Sequence, residues 1–329
     1  MIKSINPATE EVLAEYPEHS DAHLDRALTG AAEAQRAWRS RGIEQRAQLL
    51  LSLASRLRAG SAELAGLVTD EMGKPITEAE AEVEKCAINC EYYATHGASF
   101  IGDERVEVGG GETGMVAFDP LGVVLAVMPW NFPLWQVLRF AAPALLAGNG
   151  VILKHASNVS GCALAISRLI EEAGAPAGLF AAVLIPGSRV SGLIADPRIA
   201  AVTLTGSTEV GRLVAAAAGA VIKKQVLELG GSDPFIVLED ADLDAVAQAA
   251  SRARNQNAGQ SCIAAKRFIV AAKVEEEFAE RMAAAVAALA VGDPRDHGTR
   301  LGPLARNDLR DALRSQVDRS VRSGAQLMT

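Results

Sequence analysis

The chain is 329 residues long, 49% hydrophobic and 22% charged, which suits two domains with substantial cores and excludes a disordered chain. Its net charge of −8 leaves no basic footprint, which argues against nucleic acid or an anionic membrane as a partner. The four cysteines, Cys86, Cys90, Cys162 and Cys262, are too sparse for a disulfide framework, and Cys86 and Cys90 have no second pair or nearby histidine to complete a metal site.

The opening Met1–Pro7 has no apolar signal core, and no apolar run reaches membrane-spanning length, so a reduced, cytoplasmic protein is expected. After a turn-rich stretch at Asn6–Thr9, apolar residues recur at helical spacing over 21–40 and 44–72; Leu49, Leu50, Leu53, Leu57, Leu64, Leu67 and Val68 form the stripe. Gly73-Lys74-Pro75 breaks the run, and a further helix spans 76–97. These helices carry no polar constellation and read as a packing layer. Arg105–Val108, the glycines 109–111 and Gly114–Phe118 read as a hairpin with a flexible tip.

From Gly122 the pattern alternates. Short apolar strands at 123–128, 151–153, 179–184, 200–204 and 226–229 are separated by helices at 133–146, 161–173, 188–194 and 209–218. Such alternation predicts an α/β fold with a doubly wound parallel sheet, whose ligands bind at the carboxyl ends of the strands.

Those ends carry the candidates. Asn131, between Pro129 and Pro133, is a carboxamide donor suited to an oxyanion, or an Asx-turn residue. Lys154 and Ser157 suit a nucleotide ribose or its 2′-phosphate, and His155 between them reads as a satisfied loop residue. Thr205-Gly206-Ser207-Thr208 opens a helix, where backbone amides favour a phosphate, though the middle glycine of the dinucleotide fingerprint is missing and Ser207 or Thr208 can serve as a plain N-cap. Glu228 precedes Gly230-Gly231; desolvated there, it would be tuned towards a general base. Cys262 follows the flexible Gly259-Gln260-Ser261, between a helical pattern (242–255) and an apolar run (268–271), as a reactive thiol or a small packed hydrophobe.

Taken in order, Pro129-Trp-Asn-Phe-Pro133, Leu153-Lys154, Thr205-Gly-Ser-Thr208, Leu227-Glu-Leu-Gly-Gly231 and Gly259-Gln-Ser-Cys262 resemble the aldehyde dehydrogenase superfamily. The segments 151–158, 230–235 and 262–268 look most like its bacterial NAD(P)-dependent succinate-semialdehyde branch. The resemblance implies a Rossmann-type NAD(P)-binding domain over 1–229, with a hairpin arm at 104–121 suited to oligomerisation, and an α/β catalytic domain over 230–329. It also implies that the catalytic domain is C-terminally incomplete, relatives continuing for roughly another hundred residues, including a Glu-x-Phe-Gly-Pro segment.

Carried over residue by residue, Cys262 resembles the nucleophile, Asn131 with the Cys262 N–H the oxyanion donors, and Glu228 the base that activates water. Lys154 and Ser157 resemble the adenosine-ribose contacts, Gly206 and Ser207 the pyrophosphate contacts, and Trp130 and Leu229 the lining of the cofactor path. Ser157, where NAD-specific relatives carry a glutamate, implies that NADP is accepted as well as NAD. Arg139 resembles the arginine that reads the distal carboxylate of succinate semialdehyde. A second such arginine is replaced by Gln256, which leaves glutarate semialdehyde as an alternative substrate. No cysteine stands two residues after Cys262, so a local disulfide switch is not expected. The resemblance further implies a small-molecule aldehyde as substrate and a homodimer or homotetramer for the complete protein. The competing readings are an ester hydrolase using Cys262 and Glu228, and a truncated chain that binds cofactor without turnover.

Overall fold

The computed structural model describes residues 1–110 and 112–329; Gly111, in the glycine run expected at the hairpin tip, lies outside the described residues. The chain starts with strands β1 (Ile2–Ile5) and β2 (Val12–Tyr16), which form a two-stranded ribbon. Helices α1 (Asp21–Arg39), α2 (Ile43–Ala59), α3 (Ser61–Met72) and α4 (Ile76–Phe100) follow, then an exposed antiparallel hairpin of β3 (Glu104–Gly109) and β4 (Glu112–Val116). The alternating stretch comprises β5 (Val123–Met128), α5 (Trp135–Leu146), β6 (Gly150–His155), α6 (Ser160–Glu172), β7 (Phe180–Ala182), α7 (Val190–Ala195), β8 (Ile199–Thr205), α8 (Thr208–Ala220) and β9 (Lys224–Glu228). Last come β10 (Asp233–Val237), α9 (Leu243–Asn255), β11 (Ala265–Val270), α10 (Glu275–Ala287) and α11 (Asn307–Arg322).

Two compact units result: Met1–Ser4, Ala14–Leu67 and Glu80–Leu229 in one, Ile5–Leu13, Val68–Ala79 and Gly230–Thr329 in the other. The first is built on a five-stranded parallel sheet in the order β7-β6-β5-β8-β9. All six residues of β5 are buried, as a strand covered on both faces requires. Val123, Leu125 and Val127 join a core cluster with Leu24 and Leu28 of α1, Val190 and Leu193 of α7 and Val214 of α8. Side chains alternate along a strand, so Val124, Ala126 and Met128 point to the opposite face, where α5 packs on β5 and β6. The doubly wound parallel sheet expected from the alternation is therefore present.

The helix expected over 44–72 is two helices. Gly60 ends α2, its N–H donating to Arg56 O and Arg58 O, and Ser61 starts α3. The segments 5–13 and 68–79, which the sequence suggested for the first domain, cluster with residues 230–329. Within that unit the Ile76 N–H donates to Pro294 O at 2.8 Å and Arg295 Nε donates to Asp70 Oδ1 at 2.8 Å. Gly73, at φ +77°, fits against Pro7 and Pro303 so closely that a Cβ would lie 2.7 Å from Pro303 Cγ.

The second unit pairs β10 and β11 in parallel, and its core gathers Val237, Ala250 and Phe278 with the Phe235 and Phe268 rings. Ring centroids stand 5.4 Å apart for Phe235–Phe268 and 6.1 Å for Phe268–Phe278. Helix α11 buries none of its residues. Among the described residues no helix is long and apolar enough to cross a membrane.

Candidate active site

In the first unit the sheet register gathers most of the sequence candidates at one edge. Val127 lies opposite Lys154 on β6 and Leu204 on β8, and Thr205 lies opposite Glu228 on β9. The five residues 129–133 leave that edge from Met128 and lead into α5; Asn131 among them is half-buried. The backbone N–H groups of Leu134 and Trp135, at the start of α5, both donate to Glu82 Oε1 at 2.9 Å. Glu82 comes from α4 and is 4% exposed. Lys85, one turn further along, lies 4.0 Å over the Trp135 ring.

His155 is buried at the end of β6, and both ring nitrogens are engaged. Nε2 lies 2.9 Å from Pro133 O, and the Ala156 N–H, which donates to Met128 O at 2.9 Å, lies 3.0 Å from Nδ1; the neutral ring carries one proton and donates it to one of the two carbonyls. Nδ1 also lies 3.1 Å from Met128 O. Burial pushes this imidazole down to about 4 from 6.5, against the upward pull of the Pro133 and Met128 carbonyls. The sequence reading, a satisfied loop residue, agrees in that both ring nitrogens are engaged, but His155 is the buried last residue of β6 and not part of a loop.

A depressed folded-state value means that the unfolded chain binds the proton first. Stability should therefore fall as pH drops from 6.5 towards 4. The contribution of His155 to that loss is about 3 kcal/mol from the two values. Melting curves of wild type and His155→Gln across this window check it: the wild type should lose more, and equal slopes would show that His155 does not carry the effect.

The nucleotide candidates stand on the same edge. Lys154 is half-buried and makes no ion pair among the described residues, and burial pushes its ammonium below the ordinary lysine range. Ser157, itself exposed, opens a 3₁₀ turn just beyond it. Ser207 caps the 13-residue α8, its Oγ accepting the Val210 N–H at 3.3 Å. The first amides of that helix have no intrahelical acceptor and present partial positive charge. Gly206 is held by its N–H donating to Glu228 O at 3.0 Å. Leu229 packs on Gly211, where a Cβ would come within 2.5 Å of its Cδ2, so this glycine sets how closely α8 approaches the chain after β9. A desolvated cation, a hydroxyl and an open helix N-terminus at one sheet edge fit a phosphorylated dinucleotide.

Arg139 projects from α5 towards the same edge. Its Nη2 lies 3.8 Å from Glu228 Oε2 and 3.5 Å from Thr205 Oγ1, beside a cleft of about 800 Å³ lined also by Met128, Gln136 and Lys224. The Glu228 side chain is 56% exposed. The desolvated carboxylate considered from the sequence is thus replaced by a solvated one beside a guanidinium, because β9 is the edge strand of its sheet and its residues are largely exposed. An ion pair this open is weak.

Cys262 belongs to the second unit. Helix α9 ends in a turn where Asn257 (φ 56°), Ala258 (φ 53°) and Gly259 (φ 74°) all adopt left-handed backbone. For Ala258 this costs about 1–2 kcal/mol, a strain of the kind held at functional loops. Arg254 brackets the loop, donating to Gly259 O at 2.8 Å and Ala265 O at 3.1 Å. Lys266 Nζ donates to Ser261 O at 3.0 Å and Cys262 O at 2.8 Å. Glu78 accepts the Asn257 N–H at 2.8 Å, and Gln260 Oε1 accepts the Ala305 N–H at 3.0 Å. Cys86, Cys90 and Cys162 are buried, and burial pushes the Cys90 thiol up to about 12; Cys262 alone of the four is partly accessible. Among the described residues no group of three or more His, Cys, Asp or Glu could hold a metal ion.

Arg254 and Lys266 were not singled out from the sequence, because they act on carbonyls and not on a side-chain partner. Their placement four residues after Cys262 and five before Gly259 was the available signal.

The family profile described as aldehyde dehydrogenase matches residues 1–329. The chain belongs to the aldehyde dehydrogenase family. Its members are NAD(P)-dependent oxidoreductases that oxidise aldehydes. Over 325 residues it is 50% identical to the succinate semialdehyde dehydrogenase [NAD(P)+] Sad of Escherichia coli K12, covering 99% of this chain and 70% of that protein. It is 51% identical over 324 residues to a probable succinate-semialdehyde dehydrogenase [NADP(+)] of Synechocystis, covering 98% of this chain and 71% of that one. The solved succinic semialdehyde dehydrogenase of Streptococcus pyogenes, in complex with NADP+, superposes with a TM-score of 0.97 at 37% identity, covering 100% of this chain and 72% of that chain. The aldehyde dehydrogenase-like fold expected from the motifs is thereby established.

Proposed function

We propose that this chain oxidises succinate semialdehyde to succinate with NADP+ or NAD+. The observation that carries the choice of substrate is Arg139, a guanidinium placed at the sheet's carboxyl edge in contact with Glu228. Its likeness at about 50% identity to proteins named for that substrate supports the same choice.

Cys262, as thiolate, attacks the aldehyde carbon, forming a C–S bond while the carbonyl electrons move to oxygen. The Asn131 amide and the Cys262 N–H donate to that oxyanion. A nicotinamide held beside it would accept the hydride that leaves the former aldehyde carbon as the thiohemiacetal on Cys262 becomes a thioester. Glu228 then takes a proton from water, whose oxygen adds to the thioester; the C–S bond breaks, and the acid and the thiolate are released. Lys154 and Ser157 would hold the adenosine ribose and any 2′-phosphate, Gly206 and Ser207 the pyrophosphate, and Trp130 and Leu229 would line the path.

In this reading residues 1–229 bear the nucleotide and 230–329 the nucleophile. The hairpin arm at 104–121 serves assembly into a homodimer or homotetramer, and the protein works in the cytoplasm. The exposed Val108, Met115 and Phe118 give that arm apolar surface to bury.

Kinetics with Arg139→Ala test the substrate. A distal carboxylate loses charge-assisted hydrogen bonds, so KM for succinate semialdehyde should rise ~10- to 100-fold, with little change for an uncharged aldehyde of similar length. Parallel changes for both aldehydes would remove Arg139 from substrate recognition. Absence of NADPH or NADH formation by the wild type with either aldehyde would remove the enzyme reading.

A further inference from the structure

We propose that Glu82 and His155 are positioning residues for aldehyde oxidation: between them they fix the loop 129–133 that presents the Asn131 amide. The inference rests on reading Asn131 as an oxyanion donor. Pro129 and Pro133 lack N–H groups, so neither can tie the loop to its surroundings through its own amide. Beside the backbone bonds Gln136 N–H to Phe132 O at 3.0 Å and Ala156 N–H to Met128 O at 2.9 Å, two side chains outside the loop hold it. The His155 ring lies between the two ends of the loop, with Nε2 2.9 Å from Pro133 O and Nδ1 3.1 Å from Met128 O; it donates to one of these carbonyls and packs against the other. Glu82 Oε1 holds the next two amides, those of Leu134 and Trp135, each at 2.9 Å.

A buried carboxylate is costly unless its hydrogen bonds and the local field repay it. Here it sits at the N-terminus of α5, where the helix dipole favours negative charge, and one oxygen collects two amides. A plain cap would satisfy the same helix with a Ser or Asp of its own at the N-cap position; that position is Leu134, which makes no side-chain cap bond. The cap is supplied by a helix 52 residues away, which pins the loop's exit to the α4 packing layer. His155 pins it to β6, the strand whose end carries Lys154 and Ser157. A donor displaced by about 1 Å loses on the order of 10²-fold in rate, so the way this loop is held has a catalytic consequence beyond folding.

The test combines amide exchange with a double-mutant cycle on the full chain. In Glu82→Ala the Leu134 and Trp135 amides should exchange at least ~10-fold faster than in wild type. The kcat/KM for the aldehyde should fall ~10- to 100-fold in Glu82→Ala and His155→Ala. Glu82→Gln keeps an oxygen able to accept both amides and should restore most of the loss. Asn131→Ala alone should cost ~10²- to 10³-fold, and adding either alanine to it should cost less than about twofold more. Equal fold losses with and without Asn131 would overturn the positioning role, since a purely structural residue acts independently of the amide it is said to place. Unchanged amide exchange in Glu82→Ala would overturn it as well. Should Glu82→Ala not fold, His155→Ala carries the cycle. An Asn131→Ala enzyme with wild-type kcat/KM would instead overturn the oxyanion reading on which the inference stands.

Discussion

Cys262→Ala should abolish aldehyde oxidation, lowering kcat/KM by at least ~10⁴-fold, because no other group on the pathway can form the thioester. Melting temperature should hardly move: the side chain is half-buried, and the loop is held through the Cys262 and Ser261 carbonyls by Lys266 and through Gly259 O by Arg254, contacts that the substitution leaves intact. Cofactor binding, followed by calorimetry, should persist, since Lys154, Ser157, Gly206 and Ser207 all lie in the other unit. Oxidation by Cys262→Ala at a wild-type rate would show that the nucleophile lies elsewhere. The same variant separates this reaction from the ester hydrolase reading, which needs Cys262 but no cofactor: wild-type ester cleavage without cofactor, with no aldehyde turnover, would favour the hydrolase.

Much of this arrangement was readable in the chain because two periodicities meet at each strand end. Apolar runs such as Val123–Met128 and Ala200–Leu204 stop abruptly at polar or glycine-rich residues, and in a parallel sheet every such stop falls on the same edge. Asn131, Lys154, Gly206 and Glu228 were therefore placed together from pattern alone, and the motif order joined them to a family. The gaps have a common cause. Glu82, Arg254 and Lys266 bind backbone atoms, and a backbone partner leaves no mark on the sequence. Glu82 lies in an acidic run with Glu78, Glu80 and Glu84, and only helical phase singles it out: Ala79, Val83, Cys86 and Cys90 form the buried stripe, and residue 82 falls on it. Helix α11 and strands β1 and β2 were missed for other reasons. Strands β1 and β2 have only four and five residues, too few for a period to show, and in α11 the stripe Leu309, Leu313, Val317 and Val321, which recurs at helical spacing but buries nothing, was passed over. The solvation of Glu228 was misjudged because an edge strand and a central strand share the same apolar wording at their cores.

Glu228→Gln should split the reaction in two. The thiolate attack and the hydride departure make no use of this carboxylate, so a single turnover of NADPH should appear at close to the wild-type rate. Hydrolysis needs a base, and steady-state turnover should then drop ~10²- to 10⁴-fold, the usual worth of general-base catalysis. The result is a burst equal in amount to the enzyme, and a thioester on Cys262 that denaturation and mass measurement can catch. The ion pair adds a second consequence. In the structure Glu228 lies 3.8 Å from Arg139, which is also the group assigned to the substrate's carboxylate. Removing the Glu228 charge leaves that guanidinium freer to engage the substrate, so KM for succinate semialdehyde should fall in Glu228→Gln while KM for an uncharged aldehyde stays constant. Loss of the burst together with turnover would assign Glu228 to an earlier step than hydrolysis. An unchanged KM for both aldehydes, with the burst retained, would keep Glu228 as the base and show that its contact with Arg139 has no bearing on substrate binding.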